Sequence, residues 1–147
     1  MEYPTLNFPP IHLRARRNSD GRTEVFDRVR GRWLVLTPEE WVRRHVVEYL
    51  IEECGIPAQQ IIEEYPVAIN GMAQRADIVC VDNEGKPLLV VECKEPNIKL
   101  DNNTLSQVVR YNSILQCRYV ALSNGLQTYC YEYTNNTYTP IHHLPHL

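Results

Sequence analysis

Two periods run through the pattern of apolar and polar positions in this chain, one helical and one of two residues. The helical period marks TPEEWVRRHVVEYLIEE, where Trp41, Val42, His45, Val46, Tyr49 and Leu50 share one face. Thr37 as N-cap, Pro38 at the first position and Glu40 at the third predict a capping box, and Cys54-Gly55-Ile56-Pro57 ends the helix. A second helix is predicted over 101–115, with Leu105, Val108, Val109, Ile114 and Leu115 as its apolar set; Gln107 and Tyr111, four apart, project together. The two-residue period predicts strands over 63–69, 75–82, 87–94, 118–123 and 126–133, the last at a sheet edge, with Asn70-Gly71 and Asn124-Gly125 as turns. Shorter strands are predicted over 23–29 and 32–36, around Arg30-Gly31, and residues 58–62 as a helical turn. Residues 1–22 read as an irregular arm with one short strand, HLRAR, and 135–147 as a Pro-flanked tail; 23–134 is left as one folded domain.

The chain is organised around QRADIVCVDNEGKPLLVVECK, residues 74–94. Asn83-Glu84-Gly85-Lys86 supplies the turn, and with Glu84-Gly85 as a two-residue loop Asp77 faces Glu92. Directly opposed side chains have Cβ atoms roughly 5 Å apart, close enough for two carboxylates to share one cation. Lys94 falls on the face of Glu92, one step on. Ile78, Leu89 and Val91 point one way and Val79, Val81 and Val90 the other, which predicts helices on both faces of the sheet. Two acids and an ammonium in apolar strands are costly unless a metal or a reaction uses them, the bland account being a buried ion-pair network.

Composition changes this picture little. The chain has 147 residues, 44% hydrophobic and 22% charged, which suits one soluble domain. No run approaches the ~18 apolar residues of a membrane span and MEYPTLNFPP lacks a signal-peptide pattern, so the expectation is a cytoplasmic protein with no membrane partner. Cys54, Cys80, Cys93, Cys117 and Cys130 have no zinc spacing and read as buried reduced thiols; His142, His143 and His146 read as part of a frayed tail. The net charge of −3 is uneven: residues 1–44 hold nine Lys/Arg against six Asp/Glu, the rest six against twelve. The arginines are either a basic surface beside an acidic pocket or a solvated face.

Helix, three-strand meander, helix and returning strand, with Asp77 then Glu92-Cys93-Lys94, resembles the PD-(D/E)XK nuclease superfamily, and Gln107-Val-Val-Arg-Tyr111 resembles its Q-x-x-x-Y motif. FDRVRGRWLVLTPEEWVRRHVVEYL, NG-x-x-x-RADIV, VVECK, Q-x-x-x-Y-N and LSNG are similar, over roughly residues 25–133, to the nuclease-like N-terminal domain of type I restriction motor subunits. The resemblance implies a restriction-endonuclease-like α/β fold, a mixed sheet with an αβββαβ core flanked by helices. It implies Mg²⁺- or Mn²⁺-dependent hydrolysis of DNA in restriction, defence or repair. Asp77, Glu92 and the backbone carbonyl of Cys93 would be metal ligands, and Lys94 would position or deprotonate the attacking water or offset transition-state charge. Gln107 and Tyr111 would orient Lys94 or contact phosphate. The family also uses an acid on the first helix; Glu40 is the leading candidate, then Glu39, then Glu48. Arg43 and Arg75 either touch phosphate or balance local carboxylates. No G-x-x-x-x-G-K-[ST] occurs, so the expectation is a stand-alone domain that is a free nuclease or works with a separately encoded protein partner. The rival expectation is a catalytically silent nuclease-fold module that binds nucleic acid or protein.

Overall fold

The computed structural model describes residues 3–147. The N-terminal strands β1 (Ala15–Arg17), β2 (Thr23–Asp27) and β3 (Arg32–Val35) form a small antiparallel sheet in chain order. Asn18 builds the first turn, its side-chain carbonyl accepting the N–H groups of Asp20 and Arg22. Phe26 and Trp33 face each other across β2 and β3 and meet edge to face, 5.4 Å between centroids.

α1 (Pro38–Glu52) starts where the capping signals place it, but only half of the predicted capping box forms. Thr37 Oγ1 accepts the Glu40 N–H at 3.1 Å, whereas the Glu40 carboxylate goes to Arg43 and Arg44. Two guanidinium groups outbid one backbone N–H for a carboxylate. His45 is a core histidine: its Nδ1 lies 2.8 Å from the Trp41 carbonyl, and burial pulls its pKa below the ordinary value.

After a 3₁₀ turn at Ala58–Gln60 come β4 (Ile61–Ile69), β5 (Met72–Val81), β6 (Pro87–Cys93), α2 (Asn102–Leu115), β7 (Tyr119–Ser123), β8 (Thr128–Thr134) and β9 (Thr137–Ile141). The six strands lie side by side in chain order, antiparallel except for β6 and β7, whose parallel pairing is made by the α2 crossover. Ile78, Leu89 and Val91 pack with Val42, Val46 and Leu50 of α1; Val79, Val81 and Val90 pack with Val108 and Tyr111 of α2. On α2 Ile114 is exposed, and Tyr111 takes the inward place the pattern had given it.

Three details depart from the expectation. The loop of the β5–β6 hairpin is longer than two residues: Asp82 N–H donates to Lys86 O, and the register shifts between Cys80 and Val81. That bulge absorbs the difference, so Ile78 still faces Val91. Second, Thr137–Ile141, read as tail, is the edge strand β9. Asn135 and Asn136, with φ of 51° and 58°, form the two-residue hairpin loop, and Tyr133 pairs with Tyr138. Third, the arm is anchored, since Asn7 N–H donates to Gly125 O and Leu6 is buried. Gly125 has φ +85°, and a Cβ there would lie 2.7 Å from Leu6 Cδ2, so no larger residue fits without displacing Leu6.

β4 and β5 also turn over midway. Ile61 packs with α1, yet Val67 and Ile69, an even number of residues along, pack with α2; on β5 Ala76 belongs to the α2 side and Ile78 to the α1 side. Residues two apart on a regular strand share a face. The reversal falls at Glu64, whose φ is 53°, and at Asp77, set opposite it by the flanking pairs Glu63–Ile78 and Tyr65–Ala76.

Candidate active site

One step from the Ile78–Val91 pair, Asp77 and Glu92 oppose each other. Each carboxylate is tied to the other's strand: the Asp77 N–H donates to Glu92 Oε1 at 3.0 Å, and the Cys93 N–H donates to Asp77 Oδ2 at 2.7 Å. Glu92 is buried, and burial together with the charge of Asp77 pushes its pKa up to about 8. Asp77 is raised as well, by burial, against the opposing pull of the Cys93 N–H and the charges of Arg43 and Lys94.

Lys94 follows directly on β6, its N–H donating to Ser123 O of β7 at 2.8 Å. Its half-buried side chain makes no hydrogen bond or ion pair among the described residues, while its charge is felt by Asp77, Glu92 and Glu39. α1 contributes Glu39 and Arg43. Burial and the charge of Asp77 raise the Glu39 pKa, and Lys94 opposes them. The Arg43 guanidinium is held by Glu40 and is raised in pKa against burial by Glu40, Asp77 and Cys93.

Glu40, the leading first-helix candidate, is engaged elsewhere. Its two oxygens are bonded by Arg43 and Arg44, in a buried network with Asp27, Arg30 and Glu63. Glu48 is ion-paired to Arg28. Glu39 is therefore the first-helix acid that couples to the pair. Arg75 is exposed on β5, two residues before Asp77 and opposite Pro66.

From α2, Tyr111 is buried toward the acids, and its hydroxyl is raised in pKa by burial and by the charge of Glu92, with Gln107 opposing the shift. The Tyr111 hydroxyl also donates to Gln74 Oε1 at 3.3 Å. Gln74 is the contact the sequence pattern missed; its only signal was its place on the strand of Asp77. Asn112, next to Tyr111, is structural: its side chain accepts the Cys117 N–H and donates to the Cys117 carbonyl, closing the α2 C-terminus. Asn124 likewise makes a turn, accepting the Leu126 and Gln127 N–H groups.

The metal-free protein should be less stable at pH 8 than at pH 5. A carboxylate whose folded pKa is raised from 4.5 to about 8 stays protonated in the fold over that window but is ionised in the unfolded chain. Folding then takes up a proton, and stability falls with rising pH by up to roughly 1.4 kcal/mol per unit. Thermal melts in EDTA across pH 5–8 should show this fall in wild type and a flatter profile in Glu92→Gln; parallel profiles would refute the assignment.

Asp77, Glu92 and the adjacent Cys93 carbonyl are hard oxygen donors, and Mg²⁺ is typically held by one or two carboxylates with waters. The donor set fits such a cation, although among the described residues no group of three or more His, Cys, Asp or Glu side chains is gathered to hold one.

A helix, an acid pair on adjacent strands and a lysine beside it are thus gathered at one place on a mixed sheet. A model of the type I restriction enzyme R protein N terminus (HSDR_N) matches residues 38–145, and the chain belongs to that family. Among solved structures, a fragment of a protein described as an HsdR subunit of a type I restriction enzyme from Vibrio vulnificus YJ016 matches with a TM-score of 0.59 at 22% identity. The match covers 75% of this chain and 24% of that one, and shows the shared restriction-endonuclease-like fold. A search of curated proteins found no match. No helix among the described residues is long and apolar enough to cross a membrane.

Proposed function

We propose that this domain hydrolyses phosphodiester bonds of DNA with Mg²⁺ or Mn²⁺, alone or with a separately encoded protein partner. The observation that carries the proposal is the opposed pair of half-buried Asp77 and buried Glu92, with the ammonium of Lys94, unpaired among the described residues, beside it, in a chain of this family. Asp77, Glu92 and the Cys93 carbonyl would hold the cation, with Glu39 as the first-helix acid. When bound, it would neutralise phosphate charge and acidify a water.

The chain's own groups do the rest. The crossed N–H bonds from Asp77 and Cys93 fix both carboxylates before any ligand arrives, so little reorganisation is needed. Lys94, anchored through its backbone N–H on β7, presents its ammonium where negative charge grows on the phosphate and holds the attacking water or, as the neutral amine, takes its proton. Tyr111, held by Gln74, keeps α2 against this edge and offers a hydroxyl to a phosphate oxygen or to Lys94. Arg43 and the exposed Arg75 supply positive charge for the flanking phosphates.

The test is calorimetric titration of MgCl₂ and MnCl₂ into wild type and Asp77→Ala, followed by nicking of supercoiled plasmid with the same proteins. Both metal binding and metal-dependent nicking should disappear in the variant. A wild type that binds neither cation, or a variant that nicks as well as wild type, would overturn the proposal in favour of a buried ion-pair network.

A further inference from the structure

The N-terminal sheet precedes the residues matched by the family, and none of its groups enters the site described above. Its arginines are not all spoken for. Arg16 pairs with Glu24, Arg28 with Glu48 and Glu52, and Arg30 with Asp27 and Glu64. Arg14, Arg17 and Arg22 pair with no carboxylate among the described residues. Among the described residues Arg17 donates to the Gly21 carbonyl alone, at 3.0 Å.

Arg17 and Arg22 line a surface groove of about 420 Å³ together with Tyr3, Thr23 and Leu36. Tyr3 is fixed there, its hydroxyl donating to Leu36 O at 3.2 Å and its ring stacked on Trp41. The groove opens at the end of β3 that leads into α1. Leu36 and Glu39 are three residues apart, so their Cα atoms are separated by at most roughly 11 Å. The groove and the first-helix acid Glu39 are thus carried on adjoining residues of one segment, on a chain whose net charge is −3. An acidic site repels the phosphate backbone it must approach, and a basic groove beside it supplies the compensating attraction. On the neighbouring face Arg14 and Arg16 lie over the Phe26 and Trp33 rings, 4.6 and 4.2 Å from the centroids; Arg16 is also held by Glu24, whereas Arg14 pairs with no carboxylate among the described residues.

We infer that the Arg17–Arg22 groove binds the phosphate backbone of duplex DNA and holds it against the Asp77–Glu92 site. The occupant is DNA because the groove is cationic and open, with the Thr23 hydroxyl as a further donor for phosphate oxygens. This rests on the reading of the site as one that cleaves DNA.

The test is fluorescence anisotropy of a labelled 25-base-pair duplex in EDTA, titrated with wild type, Arg17→Ala/Arg22→Ala, Arg17→Lys/Arg22→Lys and Asp77→Ala over 50–200 mM KCl. Each lost phosphate contact removes about 0.9 from the slope of log affinity against log salt. The double alanine variant should lose about 2 from that slope and roughly tenfold in affinity per arginine at 0.1 M salt. The lysine pair should restore the slope, which excludes a folding defect, and Asp77→Ala should bind at least as well as wild type. An unchanged slope in the alanine pair, or no binding by wild type, overturns the groove. Tighter binding of labelled polyglutamate than of DNA, lost in the same variant, also overturns it and points to an acidic protein. Because EDTA abolishes cleavage, failure of nicking leaves this result standing, and failure of the groove leaves the nicking result standing.

Discussion

Replacing Lys94 by methionine is expected to lower metal-dependent plasmid nicking by about 10²–10³-fold, the size typical of removing one charge-stabilising group from a transition state. Methionine keeps most of the length of the side chain and removes only the charge and its N–H donors. The ammonium contributes little to the fold through ion pairing, since it makes no bond among the described residues and its neighbours Asp77 and Glu92 are satisfied in part by N–H groups. What it does is set the local field, lowering the pKa values of Asp77, Glu92 and Glu39 against burial. Lys94→Arg separates two roles. Arginine keeps the charge but does not give up its proton, so recovered nicking assigns charge compensation, and continued loss assigns handling of the attacking water. Initial rates of supercoil loss, with circular dichroism as the check on folding, decide the matter. A methionine variant within about threefold of wild type would remove Lys94 from the mechanism.

Replacing Arg44 by methionine should destabilise the protein by about 3–5 kcal/mol at pH 7, the cost of leaving buried carboxylates uncompensated. Arg44 is 3% exposed; its Nη1 lies 2.7 Å from Asp27 Oδ1, its Nε 2.9 Å from Glu40 Oε2, and its Nη2 is bonded to Glu63. Burial works to raise the Asp27 pKa, yet Arg44 and Arg30 hold it below the ordinary carboxylate value. A depressed carboxylate contributes stability above its unfolded pKa and loses it as pH falls through the folded value. The gap between variant and wild type should therefore narrow below about pH 4, where the carboxylates take up protons. Urea unfolding at constant m reads the effect as a midpoint shift of more than about 1 M. A loss under about 1 kcal/mol would show that the network carries no net weight. Because the same network holds Glu40 and Arg43, it also fixes the first turns of α1, and with them Glu39.

The acid pair was legible because it depends on local parity. Once two strands share a register, the faces of Asp77, Glu92 and Lys94 follow, and the bulge at Cys80 and Val81 let a wrong loop length give the right pairing. The choice between Glu39 and Glu40 was not legible, because it is made by Arg43 and Arg44, one turn on, and by Asp27 and Glu63 from other strands. Local capping rules give Glu40 a role that tertiary charge then takes away. β9 was missed because Asn135-Asn136 reads equally as a chain end or a hairpin loop, and Pro140 argues against a strand. At an outer edge the missing N–H of Pro140 faces no partner strand and costs little. Gln74 carried no pattern of its own; its contact with Tyr111 exists only after α2 has packed.

The reversal of β4 and β5 at Glu64 and Asp77 makes the site depend on both halves of the molecule. Asp77 sits at the joint, where α1 delivers Glu39 and Arg43 from one layer and α2 delivers Tyr111 from the other. A chain that had assembled only one layer would hold one acid without its neighbours. The complete constellation is in this way a property of the finished fold, and a partly assembled copy has no such site.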